Sequence, residues 1–263
     1  MTEGTMPDSN GSPTPQTRAR PIDSTPPLFA PPQHFYRTAA LPCPYVAGRI
    51  ERKLITELTG QEATGLYNAL SRAGFRRSHH LAYRPACAGC AACVPVRIPV
   101  ADFAPSRSLR RIERLHRDLA VRIAEPRATL EHYRLFARYQ RSRHTESDMA
   151  SMTFGDFRAM VEDSPVPCRL LELRHEGRGL LGTCLIDLLD DGLSAVYSFF
   201  DPEEPRRSFG TFLIMALIAE AQRRALPYAY LGYWIAESPK MAYKARFRPL
   251  EGLGSEGWRR LAL

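Results

Sequence analysis

Apolar residues recur along this chain with two different periods, and the change from one to the other divides it. Over residues 62–73 (EATGLYNALSRA), Leu66, Ala69, Leu70 and Ala73 fall at helical spacing, and Gly74 stands where a helix would stop. Similar spacing predicts helices over 106–123 and 130–143, both rich in arginine. From about residue 168 the grammar becomes that of strands. Residues 169–174 and 180–189 read as neighbouring strands joined by the turn 175–179, which contains Gly177 and Gly179. Residues 195–200 form a third strand, entered through Asp190, Asp191 and Gly192. A loop rich in proline and charge follows over 201–208, then an amphipathic helix over 211–224 and a strand over 228–233.

This β-β-β-loop-α-β order resembles the centre of the acyltransferase fold that many N-acetyltransferases share. It predicts an α+β protein with a mixed-sheet core. Three regions are expected. Residues 1–34 hold eight of the 22 prolines and read as a disordered tail. Residues 35–105 form an N-terminal Cys-containing region, and 106–263 an acyltransferase-like domain that carries the basic helices.

Charge sharpens the picture. The net charge is +8, and between Arg107 and Arg143 eleven arginines face only four acids, Glu113, Asp118, Glu125 and Glu131. Clustered arginine on a predicted helix is the footprint of nucleic-acid binding, with Arg110, Arg111, Arg114 and Arg117 as candidates. A solvated helix surface is the alternative. No run of about 18 apolar residues suggests a membrane span, and no secretory leader is evident, so a cytoplasmic protein is expected. Six cysteines in such a chain point to reduced thiols or a metal site, not disulfides. Cys168 and Cys184 have apolar, strand-like flanks and read as core. Cys87, Cys90 and Cys93 offer three thiolates within seven residues, and Cys43 can supply a fourth. Four thiolates suit zinc or an iron–sulfur cluster, the alternative being reduced thiols that pack a turn.

In the acyltransferase fold, the turn before the central helix binds the donor's phosphates through helix N-terminal amides. Here that turn is residues 206–212 (RRSFGTF). Arg207 and Gly210 match the pattern of coenzyme A users, but Phe212 stands where a small residue is needed. The scaffold suits acyl transfer, whereas the turn does not suit acetyl-CoA.

Longer blocks carry a specific resemblance. They are 74–78 (GFRRS), 83–93 (YRPACAGCAAC), 96–100 (VRIPV), 197–202 (YSFFDP), 230–235 (YLGYWI) and 238–251 (SPKMAYKARFRPLE). Together, over roughly 35–260, they resemble the arginyl-tRNA–protein transferase family, and most of all its bacterial aspartate/glutamate leucyltransferase branch. The resemblance implies transfer of leucine from leucyl-tRNA to proteins that begin with Asp or Glu, which marks them for N-degron proteolysis. It also implies a Cys-rich region of the kind linked to metal or cluster binding in eukaryotic relatives. The expected partners are aminoacyl-tRNA and proteins with N-terminal Asp or Glu, with no DNA and no membrane.

The chemistry exchanges an ester for an amide, so it runs downhill and requires no ATP or redox cofactor. A peptide α-amino group titrates near about 7.7–8.0, which leaves a useful neutral fraction. Alignment and oxyanion stabilisation therefore matter more than strong base catalysis. Arg76 and Arg77, with Tyr83 nearby, are the first candidates to grip the acceptor carboxylate. Lys240, Tyr243 and Lys244 form a second cluster, able to hold the tRNA 3′ end or polarise the ester. Tyr233 and Trp234, at a strand's C-terminal end, are candidates to stack the terminal adenine. Arginyl transfer from arginyl-tRNA, a coenzyme A-dependent N-acetyltransferase and a non-catalytic RNA-binding module remain as other readings. An apolar donor pocket would favour leucine and an acidic one arginine.

Overall fold

The computed structural model describes residues 1–2, 33–143 and 147–263, so the expected tail lies almost wholly outside the described residues. The chain divides into two units, Met1–Gln33 and His34–Leu263, and all secondary structure among the described residues lies in the second.

The second unit opens with short strands β1 (Tyr36–Arg37), β2 (Leu41–Pro42) and β3 (Ile50–Glu51), followed by β4 (Lys53–Glu57). Helix α1 (Ala63–Arg72) buries Ala63, Tyr67 and Leu70, and Gly74 follows it at φ +84°. Strands β5 (Arg76–Ser78) and β6 (Leu81–Pro85) complete a four-stranded sheet ordered β1-β4-β6-β5. Then come β7 (Val94–Pro99), α2 (Arg107–Leu115), β8 (Leu119–Ala124), α3 (Leu130–Arg143) and α4 (Phe154–Glu162). Strands β9 (Cys168–His175), β10 (Gly179–Leu189) and β11 (Gly192–Phe200) lead to α5 (Phe209–Arg223) and β12 (Tyr228–Trp234). Short helix α6 (Pro239–Ala242) and the hairpin β13 (Glu251–Gly254) and β14 (Gly257–Arg260) end the chain.

The large sheet is mixed, ordered β14-β13-β7-β12-β11-β10-β9-β8. Every neighbouring pair in it is antiparallel except β11 with β12. Both faces of β9 and β10 are covered. Leu171, Leu173, Leu181, Cys184 and Ile186 pack with α5 and with Leu109 and Ile112 of α2. Leu170, Leu180 and Leu185 pack with α3 and α4 through Phe136 and Phe157. Burial on both sides is why β10 reads as a nearly continuous apolar run.

Two expectations need correction. The helix expected over 106–123 ends at Leu115, and after a turn the chain runs as β8, the edge strand beside β9. Val121 and Ile123 alternate as a strand requires, and β-branched residues favour the sheet. The boundary expected near residue 105 does not separate two bodies: His34–Leu263 is one unit, and β7, from the Cys-containing region, is an inner strand of the large sheet.

Candidate active site

The site grows from a fault in the large sheet. The parallel strands β11 and β12 pair only at Gly192–Tyr228, Leu193–Ala229 and Ser194–Tyr230, although β11 continues to Phe200 and β12 to Trp234. Beyond those pairs the strands separate. Each carries an irregularity at that point. The β10–β11 register shifts where Leu185 faces Tyr197 and Ile186 faces Ala195, and the β12–β7 register shifts between Tyr230 and Gly232. An extra residue bends and twists a strand locally, so two such irregularities side by side open a notch. Gly232 sits there at φ +77°, a conformation that L side chains rarely adopt.

Arg76 of β5 enters this notch. Its guanidinium donates to the carbonyl of Ala195, which β12 has left without a partner, and its Nε would lie 3.4 Å from a Cβ built on Gly232. Arg76 is buried and, among the described residues, forms no ion pair. Arg77 does the opposite. Its Nε lies 3.1 and 3.0 Å from the two carboxylate oxygens of Asp187, its Nη2 lies 2.6 Å from Oδ1, and its Nη1 donates to the carbonyl of His79 at 2.8 Å. Adjacent strand residues point to opposite faces, so the two arginines diverge instead of forming one clamp. Arg77 is taken as a carboxylate ligand by the protein itself, which corrects its expected role. Tyr83 opposes Arg76 across β5 and β6, and its ring lies 6.2 Å from that of Tyr233.

Lys240 and Lys244 do not share a helix face. Helix α6 gives way at Tyr243 to a tighter 3-10 turn, which leaves Lys240 exposed and buries Lys244. The Lys244 amine donates to the carbonyl of Tyr233 and lies 3.3 Å from the sulfur of Met241. Burial, and then the positive charge of Arg76, push its pKa down to about 7. It too forms no ion pair among the described residues. Two buried cations without a carboxylate therefore lie within electrostatic reach of each other at the mouth of the notch. Tyr243 is 38% exposed, yet its hydroxyl end is buried, which pushes its pKa up to about 12. Tyr233 is held in place, because its hydroxyl reaches the carbonyls of Gly74 at 3.0 Å and Tyr83 at 3.1 Å. Trp234 is half-buried, and its indole N–H is buried without an acceptor among the described residues.

Behind the notch is a cavity of about 40 Å³. Leu213, Ile214 and Leu217 of α5 line it on one side, and Ala195, Ser198, Cys184, Leu231 and Tyr243 on the others. Its lining contains no acid.

The turn before α5 packs against the end of α2 and against β11. Arg207 donates to the carbonyl of Leu115 at 3.0 Å and pairs with Asp118 at 2.6 Å. A Cβ on Gly210 would lie 2.9 Å from the Phe200 ring, so this glycine serves packing. Phe212, which stands where coenzyme A users need a small residue, stacks on His116 with ring centres 4.2 Å apart and planes 5° from parallel. These contacts give the Arg207 side chain an ion pair and the Gly210 α-carbon a packing role. Arg110, Arg111, Arg114 and Arg117 are all exposed on α2 and the turn that follows it.

The four cysteines of the N-terminal region are neighbours. Burial pushes the Cys93 thiol up to about 11, with Cys43, Cys87 and Cys90 adding to the shift. Cys87 accepts from the Arg52 amide at 3.4 Å and donates to the Arg52 carbonyl at 3.6 Å. Among the described residues, no three His, Cys, Asp or Glu side chains converge as metal ligands.

Asp187 and the Arg97 cage are features that the sequence reading passed over. Arg97 pairs with Glu251 at 2.8 Å and lies 3.5 Å from the centre of the Tyr228 ring and 4.4 Å from that of Trp258. An acid inside the apolar run 180–189 was the available signal for the first, since a buried carboxylate needs a cation.

The chain is similar to known proteins over most of its length. Residues 41–111 match the model "Arginine-tRNA-protein transferase, N terminus" and residues 131–254 match "Arginine-tRNA-protein transferase, C terminus". It is 56% identical to the aspartate/glutamate leucyltransferase of Paramagnetospirillum magneticum, over 88% of this chain and 95% of that one. With the protein of the same name from Granulibacter bethesdensis it shares 52% identity over 91% and 90% of the two chains. Among solved structures, that of FemX aligns at a TM-score of 0.42 and 8% identity, over 76% of this chain and 79% of that one. Family matches in both halves, and identity above one half over nearly the full length of such relatives, place this chain in the arginine-tRNA-protein transferase family.

Proposed function

We propose that this protein transfers leucine from leucyl-tRNA to the N-terminal Asp or Glu of other proteins. The observation that carries the reading is Arg76, a buried guanidinium in the notch between β11 and β12 with no carboxylate of its own. A charged group taken out of water without a counter-ion is costly unless an anion arrives to meet it. An acceptor that brings an acidic side chain supplies that anion, and Asn or Gln of nearly the same shape does not. The names of the 52–56% identical relatives agree with this reading on the group transferred and the acceptor residues.

In the reaction, the acceptor's neutral α-amine attacks the ester carbonyl of the charged tRNA. A C–N bond forms, the C–O bond to the terminal ribose breaks, and the ribose oxygen takes up a proton. Lys244, an amine held near a pKa of about 7 beside Arg76, suits exchange of that proton at cytosolic pH. The exposed arginines 110, 111, 114 and 117 offer a basic face for the tRNA. A protein headed by leucine is the product that the family resemblance ties to N-degron proteolysis.

The test is direct. Purified protein receives an Asp-initiated peptide and either leucyl-tRNA or arginyl-tRNA carrying a labelled amino acid, with an Asn-initiated peptide as control. Label is expected in the Asp peptide from leucyl-tRNA. Labelling from arginyl-tRNA alone, or equal labelling of Asn and Asp peptides, would refute the reading.

A further inference from the structure

Selecting one donor among many charged tRNAs requires a part of the enzyme that reads the side chain being transferred. The cavity behind the notch has the features such a reader needs. It lies where β11 and β12 have already parted: Ala195 and Ser198 follow the last β11 pair, and Leu231 follows the last β12 pair. The same Ala195 presents the carbonyl that holds Arg76, so the cavity and the cationic mouth share a wall.

Its size and lack of an acid limit what fits. At about 40 Å³ it offers a few times the roughly 10–15 Å³ that a single water requires. That is room for a short branched hydrocarbon and not for the longer side chain of arginine. Leu213, Ile214 and Leu217 of α5 form its apolar side. Cys184, on the strand opposite, is fully desolvated, and its thiol is pushed up to about 12. No carboxylate lines it, so a guanidinium entering would lose its hydration and gain no counter-ion.

We propose that this cavity receives the leucyl side chain and that Ser198, Ile214 and Leu231 set donor choice by size. The inference rests on the transfer reaction proposed above and adds the residues that discriminate. A misfit of one methylene in such a pocket is worth about 10- to 200-fold in kcat/KM.

The experiment charges one tRNA in turn with alanine, valine, leucine, methionine, phenylalanine and arginine, and measures transfer to an Asp-initiated peptide. Wild-type protein should prefer leucine. Ile214→Ala enlarges the cavity and should raise methionine or phenylalanine relative to leucine by about tenfold or more. Ser198→Val narrows it from the half-buried β11 side and should move the preference toward alanine or valine by a similar factor. Circular dichroism and Tm establish that each variant is folded, and a ratio between donors is insensitive to a partial loss of active protein. An unchanged order of donors in both folded variants overturns the inference and leaves the transfer reaction standing. A wild-type protein that transfers nothing from any of the six overturns both.

Discussion

The most exacting prediction concerns Arg77 and Asp187, whose side chains are 1% and 0% exposed. Replacing Arg77 with methionine removes three close contacts to the carboxylate and leaves Asp187 charged, buried and unpaired. Breaking one side of such a pair costs about 3–5 kcal/mol, against a total stability of about 5–15 kcal/mol for an ordinary domain. For a body of this size each kcal/mol moves Tm by about 2–4 °C, so Arg77→Met should melt roughly 10 °C below wild type. Adding Asp187→Leu removes the stranded charge and should restore most of the loss, because an apolar pair often equals a buried ion pair in stability. Urea and thermal denaturation of wild type, both single variants and the double variant complete the cycle. The reasoning fails if Arg77→Met loses less than about 1 kcal/mol, or if the double variant is as unstable as the two singles combined.

The neighbouring arginine should behave in the opposite way. Arg76→Ala is expected to leave Tm unchanged or slightly raised, since it removes a buried charge without a counter-ion, and to cut the preference for Asp over Asn peptides by about a hundredfold, read as a ratio of kcat/KM. Neutralising Arg110, Arg111, Arg114 and Arg117 together should weaken tRNA binding and reduce the slope of log affinity against log salt, and an unchanged slope would place the tRNA elsewhere. Lys244 gives a pH signature. Its folded pKa of about 7 lies below the unfolded value of about 10.4, so between these limits the unfolded chain binds more protons and stability rises with pH. The burial penalty is fully present below pH 7 and is relieved as pH rises. Wild type should therefore gain about 2 kcal/mol on Lys244→Met between pH 7 and 9, measured by urea denaturation at each pH.

Local pattern made much of this architecture legible. The 62–73 helix, the strands from 168 onward, the loop and the central helix all stand within a few residues of where periodicity puts them. What escaped depends on contacts between distant segments. Residues 106–123 carry charge at helical spacing, but their second half is an edge strand because β9 presents a free edge there. Arg76 and Arg77 look alike in sequence and sit side by side. Only the fold shows that one meets Asp187, 110 residues away, while the other meets a carbonyl that a departing strand has left free. Lys240 and Lys244 are four apart, yet a 3-10 turn between them sends one to solvent and the other inside. The notch itself has no motif, because it arises from irregularities in two strands that are adjacent only after folding.

The placement of β7 has a consequence for how the protein is made. Residues 94–99 emerge from the ribosome well before their neighbours on both sides, residues 228–234 and 251–252. At about 5–20 residues per second, that strand waits roughly ten seconds with both edges unpaired. An apolar stretch, VPVRIP, held open that long is exposed to mispairing with other nascent chains. Truncation near the C-terminus should therefore yield insoluble protein rather than a shorter folded one, even when the removed residues lie outside the notch.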